Sequence, residues 1–195
     1  KWDVSEVTDM SSMFDGYLYA FKGTGLSGWN VSKVTDMSYM FRDCTAFDAD
    51  LSKWDTSKVT NMLGMFHDCA AFDADLSKWI TSKVTNMAVM FDGCKSFKGR
   101  GVSKWDVSEV MDMEMMFKDC AAFNADLSEW VVSKVTNMRK MFMNCAAFYA
   151  DLGKWDVGRV TNLDGMFRNC AADHWYLGEW AEKLQVSWPA DFNVD

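Results

Sequence analysis

Residues 51–75 read LSKWDTSKVTNMLGMFHDCAAFDAD, and two apolar rhythms meet in that stretch. Met62, Met65, Phe66 and Cys69 stand at i, i+3, i+4 and i+7, the spacing of one helical face. Leu51, Trp54 and Thr56 have the tighter spacing of a short extended segment. Ser57, Thr60 and Asn61 lie between them and are good turn and N-cap residues. The stretch therefore predicts a short strand, a turn and a short helix.

The same phrase recurs along the chain. Trp2, Trp29, Trp54, Trp79, Trp105, Trp130, Trp155 and Trp180 fall about 25 residues apart. Five residues after the first seven come Val7, Val34, Val59, Val84, Val110, Val135 and Val160. Three further on stand Met10, Met37, Met62, Met87, Met113, Met138 and finally Leu163. A Met-Phe pair follows each time, from Met13-Phe14 to Met166-Phe167, then Cys44, Cys69, Cys94, Cys120, Cys145 and Cys170. Tyr17 holds the cysteine position in the first unit. One unit cannot bury its own apolar side, so the units should stack over a shared core. The predicted fold is an α/β, leucine-rich-repeat-like right-handed solenoid over residues 1–180. It would have about seven repeats, each with one short parallel strand and one short helix, and residues 181–195 would form a C-terminal cap or tail. Two repeats carry one extra residue before the strand, at Gly23-Thr24-Gly25 and Gly99-Arg100-Gly101, where paired glycines suit a tight or bulged loop.

The composition fits a packed chain. Apolar residues make up 49% and aromatic residues 15%, which excludes a disordered acidic tail. The formal charge is −8 with Lys and Arg scattered singly, so nucleic-acid phosphates and anionic lipid are not expected partners. No apolar run reaches the roughly 18–20 residues of a membrane span. The opening at Lys1-Trp2, already inside a repeat and without Met, suggests a processed protein or a piece of a longer chain or assembly.

Candidate chemistry is thin. The six cysteines share one repeat position and should form a ladder of buried free thiols on the apolar helix face, small apolar residues in effect. His67 and His174 are the two histidines, and regular spacing builds no nucleophile–base set from them. His67 is expected on the solvent side of its helix. Asp50, Asp75, Asp126 and Asp151 repeat at the turn into the strand, where calcium could relieve their repulsion. Each can instead cap backbone N–H groups nearby, so no metal, cofactor or catalytic residue is expected.

The residues flanking each Trp are more informative. Lys53, Lys78, Lys104 and Lys154 form one row, and Asp55, Asp106 and Asp156 the row beside it. On a strand template both point outward from a concave sheet face as a self-compensating charged surface. Ile80 and Val131 interrupt the Asp row with apolar side chains. Lys53, Asp55, Lys78, Ile80, Lys104, Asp106 and Val131 are therefore the expected partner-binding residues, toward a protein or a glycan. The alternative is a structural or scaffold subunit fixed in a larger assembly.

The phrases Trp-Asp-Val-Ser-Glu-Val-Thr-Asp-Met, from Trp2 to Met10, and Met-Phe-x-x-Cys-x-x-Phe resemble the BspA-like leucine-rich-repeat surface proteins. More closely, they resemble the DUF285 family of mycoplasma and other bacterial surface lipoproteins and of many unicellular algae. The resemblance runs from residue 1 to about 180. It implies a non-enzymatic adhesion or protein-recognition role and a cell-surface or extracellular setting, with an organelle or an assembly as the alternative. It brings no catalytic residues. The lipobox of the bacterial lipoproteins is missing, and the Cys-Ala-Ala-Phe turns look more like the algal members.

Overall fold

A computed structural model describes residues 2–16, 19–170 and Trp180. The chain forms a stack of coils of about 25 residues, each laid on the one before. Six parallel bridges join seven coils through one residue apiece: Asp9, Asp36, Asn61, Asn86, Asp112, Asn137 and Asn162. Among the described residues this is the only β-type pairing, and it is a line of isolated bridges, not a sheet. The regular helical elements with printed bounds are two 3₁₀ turns, Leu26–Gly28 and Val102–Lys104. The strand-plus-helix solenoid expected from the sequence is thus not what the chain builds. The expected cap, 181–195, lies outside the described residues.

The reason is in the backbone hydrogen bonds. In the stretch expected to be helical, the amides of Met65, His67 and Cys69 close three-residue turns onto the carbonyls of Met62, Gly64 and Phe66, at 3.0–3.2 Å. The alternate amides, of Met62, Gly64, Phe66 and Asp68, leave the coil. They donate to Asn86, Ala88, Met90 and Asp92 of the next one, at 2.7–3.0 Å. A helix would use all of these amides internally. Gly64 and Asp68 also take left-handed backbone, with φ of 58° and 59°, which breaks any helical run. Successive i→i+3 turns keep the three- and four-residue apolar spacing, so the sequence pattern looks helical without a helix. The supposed strand fares likewise. Trp54 N–H bonds to the Leu51 carbonyl at 3.0 Å and Val59 N–H to that of Thr56 at 2.9 Å, so it is a pair of turns.

The residues expected to be buried are buried. Trp54, Trp79, Trp105, Trp130 and Trp155 are 0–5% exposed. Trp79 stacks on Trp105 and Trp130 on Trp155, at 6.2 and 6.3 Å with planes 4° apart. A column of Phe rings runs beside them from Phe14 through Phe41, Phe66, Phe91, Phe117 and Phe142 to Phe167. Its steps are 5.6–5.7 Å, one per coil. Offset aromatic pairs at such distances add about 0.5–1.5 kcal/mol each beyond the area they bury. Every indole also sets the register. Trp54, Trp79, Trp105, Trp130 and Trp155 each donate Nε1–H to a carbonyl of the preceding coil, those of Leu26, Leu51, Leu76, Val102 and Leu127, at 2.9–3.2 Å.

The two long loops behave as the paired glycines suggested. Gly23, Gly25, Gly99 and Gly101 all have positive φ, and the second of each pair introduces a 3₁₀ turn.

Candidate functional site

The segment around each Trp exposes one side of a turn. In coil 51–75, Trp54, Thr56 and Val59 are buried while Lys53, Asp55 and Lys58 are exposed. The seven residues singled out by the sequence, Lys53, Asp55, Lys78, Ile80, Lys104, Asp106 and Val131, are all exposed on this flank. Because there is no sheet, they line the outer side of stacked turns and not a strand face.

The two expected charge rows do not compensate each other. Lys53, Lys78 and Lys104 make no ion pair with the Asp row among the described residues. Each Asp turns back on its own backbone instead. Asp55 Oδ1 accepts the Ser57 N–H at 3.0 Å, and Asp106 Oδ1 accepts the Ser108 N–H at 3.0 Å and its hydroxyl at 2.6 Å. These Ser contacts hold both carboxyls below the usual range. The ion pairs of this flank run along other rows: Lys33–Glu6, Lys134–Glu109 and Lys154–Glu129, at 2.6–2.7 Å between exposed partners. Pairs of that kind add little stability.

Ile80 and Val131 lack the carboxylate that folds the other coils' turns, and remain 50% and 57% exposed. A buried hydroxyl takes over part of its role at Ile80. Thr56 Oγ1 accepts the Ile80 N–H at 2.9 Å and lies 3.0 Å from the Ile80 carbonyl, to which it donates. Thr56 and Thr81 occupy a position that is Val in other coils, and Thr81 Oγ1 donates to the Asp106 carbonyl at 2.8 Å. The sequence consensus contained this Val/Thr alternation but gave no hint that the hydroxyl bridges coils.

The remaining candidates resolve into structural roles. Asp50, Asp75, Asp126 and Asp151 each accept the N–H two residues on, at 2.8–3.0 Å. Among the described residues, no three His, Cys, Asp or Glu side chains gather closely enough to hold a metal ion. The six cysteines are free thiols. Each Sγ donates to a Phe carbonyl of the preceding coil, from Cys44 on Phe14 at 3.3 Å to Cys170 on Phe142 at 2.8 Å. Burial pushes the Cys44 thiol up to about 11 and Cys170 to about 12, and raises Cys69, Cys94, Cys120 and Cys145 as well. Thiols so shielded are poor nucleophiles.

Sequence reasoning missed one polar row, the position just after Met-Phe. Asp15 takes a two-pronged bond from Arg42, at 2.7 and 2.8 Å. His67 is half-buried, not on a solvent-facing helix, with Nε2 3.5 Å from Asp68 and 3.7 Å from Asp92. Asp92 is buried, and Lys118 reaches it at 3.1 Å and Asp119 at 2.6 Å. Burial raises the Asp92 carboxyl, with Lys118 and His67 opposing the shift. The signal was the alternation of sign at one repeat position, Asp15, Arg42, His67, Asp92, Lys118, visible only when that column is read by itself.

These features define a tandem-repeat protein whose coils share one continuous core and whose titratable groups serve turns and coil contacts. The family model for "Mycoplasma protein of unknown function, DUF285" matches residues 1–100 and again 73–180, and the chain belongs to that family. The match does not carry the BspA-like label. No curated protein matches the chain. No helix among the described residues is long and apolar enough to cross a membrane.

Proposed function

We propose that this chain is a non-enzymatic recognition module. Its contact surface is the exposed flank carrying Lys53, Asp55, Lys78, Ile80, Lys104, Asp106 and Val131, and its partner a protein or a glycan. The observation that carries the reading is the pair Ile80 and Val131. Both are about half exposed where other coils hold an Asp folded onto its own turn. Their side chains add nothing to the core, so contact with a partner is what their apolar surface can offer. The scaffold beneath is held by a hydrogen bond from every indole to the neighbouring coil, and such a preformed surface loses little entropy on binding. The shielded thiols further support a role without covalent chemistry.

The test is a selection from displayed peptides and a glycan array on the parent chain, repeated on the Ile80→Asp, Val131→Asp double variant. Asp is the usual residue of that row, so thermal unfolding should be nearly unchanged. The ligands enriched on the parent should bind the variant at least tenfold more weakly. Equal affinity for both chains would remove this flank as the site.

A further inference from the structure

Coils two to seven each cover the outer edge of the coil before them, and the first coil shows that same edge uncovered. Trp2 is 66% exposed, whereas its counterparts from Trp54 to Trp155 are at most 5% exposed. Beside it a cleft is lined by Trp2, Asp3, Val4, Gly28, Trp29 and Asn30. The backbone repeats the contrast. In the next coil, Thr35 N–H donates to the Thr8 carbonyl, and the carbonyls of Asp36, Ser38, Met40 and Arg42 accept from Met10, Ser12, Phe14 and Gly16. The matching groups of the first coil are the Thr8 N–H and the carbonyls of Asp9, Ser11, Met13 and Asp15. None has a backbone partner.

We infer that this edge is a docking site for one further coil of the same sequence pattern, whether it comes from the same chain or another. The inference goes beyond the flank proposed above and does not depend on it. Its ground is continuity with an interface the structure repeats six times with constant register. An unpaired row of this kind is a ready template for another chain segment. The occupant is defined by what the edge asks for. It must offer four N–H donors at alternate residues, one carbonyl for Thr8, an indole to stack on Trp2, and a Phe to continue the column at Phe14. The segment 51–75 has all of these. In the repeated register Met62, Gly64, Phe66 and Asp68 would donate to Asp9, Ser11, Met13 and Asp15, and the Thr60 carbonyl would accept from Thr8. Lys58 would fall beside Glu6, whose side chain is 82% exposed even though it already pairs with Lys33.

The probe is a synthetic peptide with the sequence of residues 51–75, added to the whole chain and followed by calorimetry and amide hydrogen exchange. Saturating peptide should slow exchange at Thr8 at least tenfold while leaving amides of coil 152–170 unchanged. Methylating the peptide nitrogens of Met62 and Gly64 removes two donors without touching the protein, and should weaken binding at least tenfold. Trp2→Glu, at an exposed position, should also weaken it at least tenfold without lowering the melting temperature. Absence of binding, protection elsewhere than the first coil, or equal binding of the methylated peptide would overturn the inference.

Discussion

Gly25 and Gly101 hold the same place in two coils, yet their surroundings differ in a way that isolates coil-to-coil packing. Both have left-handed backbone, with φ of 91° and 87°, and both introduce a 3₁₀ turn. A Cβ at Gly25 would meet nothing within 4 Å. A Cβ at Gly101 would lie 2.2 Å from the Ser77 nitrogen, 2.4 Å from its Cα and 2.7 Å from the Leu76 carbonyl carbon, all backbone of the preceding coil. Replacing either by Ala costs about 1–2 kcal/mol for the left-handed conformation. At Gly101 the neighbouring coil must also move. That adds about 1–3 kcal/mol of overpacking strain. It also loosens the Leu76 N–H bond to the Arg100 carbonyl, 3.0 Å long, worth about 1 kcal/mol. The reduced freedom of the unfolded chain is common to both variants and cancels in their difference. Gly101→Ala should therefore be about 2–3 kcal/mol more destabilising than Gly25→Ala. Urea unfolding followed by tryptophan emission measures this, with hydrogen exchange at Leu76 as the local reading, since repeat stacks can open coil by coil. Destabilisation equal within about 0.5 kcal/mol, with Leu76 exchange unchanged, would refute the stacking register described here.

Three further outcomes follow from the titratable groups. Lys118→Met should cost about 2 kcal/mol by leaving the Asp92 carboxylate buried without its nearest cation, a figure reduced because Lys118 is itself 23% exposed. The loss should shrink as pH falls, because a carboxyl with a raised folded pKa costs stability only as pH rises above its unfolded value. Calorimetry at pH 4 and pH 7 compares the two. The thiols have folded pKa values raised by burial, so their contribution is complete below an unfolded value of about 8.5. It is lost as pH climbs through the folded values, about 11 for Cys44 and about 12 for Cys170. Melting temperature should therefore fall between pH 8 and 11, and a flat profile would count against thiol burial. Asp50, Asp55, Asp75, Asp106 and Asp126 have the opposite sign, their carboxyls held low by Ser contacts. Their contribution is present above about pH 3.9 and lost as pH falls through the folded values. Asp→Asn variants at Asp50 and Asp75 should flatten the acid limb of a melting-temperature profile.

Much of the core was legible in the sequence, whereas the backbone was not. Apolar periodicity reports which side chains face inward, and it placed Met62, Met65, Phe66 and Cys69 correctly. It does not report where amides send their hydrogen bonds. Helices and chains of i→i+3 turns share a three-to-four residue spacing, so the periodicity could not separate them. One signal could have. The third residue after each repeat Met or Leu varies widely, and among it and its neighbours Gly64, Gly93 and Gly165 stand at left-handed sites. Glycines recurring inside an assigned helix argue against that helix. The left-handed residues also include Asp43, Asp68, Asp119, Asn144 and Asn169, all at one repeat position. Asp and Asn are the side chains that tolerate such backbone most readily, so a column of them just before Cys was evidence for a turn.

The flank was legible as exposed positions and illegible as chemistry, for a related reason. Reading Lys and Asp rows as partners assumed side chains projecting side by side from a sheet. In a stack of turns an Asp two residues ahead of a Ser finds that Ser amide first, at about 3.0 Å for both Asp55 and Asp106. A local bond closes with little chain entropy, whereas an exposed Lys must immobilise a long side chain to compete. The Asp row is therefore part of the fold, and its interruptions have a cost that the rest of the row does not. At Ile80 a second substitution in the neighbouring coil, Thr56 in a Val position, supplies a hydroxyl to the same backbone. This gives the coupling a test. Thr56→Val should destabilise the chain by about 1–2 kcal/mol, since it leaves the Ile80 amide without its acceptor. With Asp at position 80 the loss should be unchanged if Thr56 acts on the backbone alone. It should be smaller if the carboxylate reorganises the turn. A double-mutant cycle in urea distinguishes the two. A Thr56→Val variant as stable as the parent would show that the bridging hydroxyl contributes nothing to coil packing.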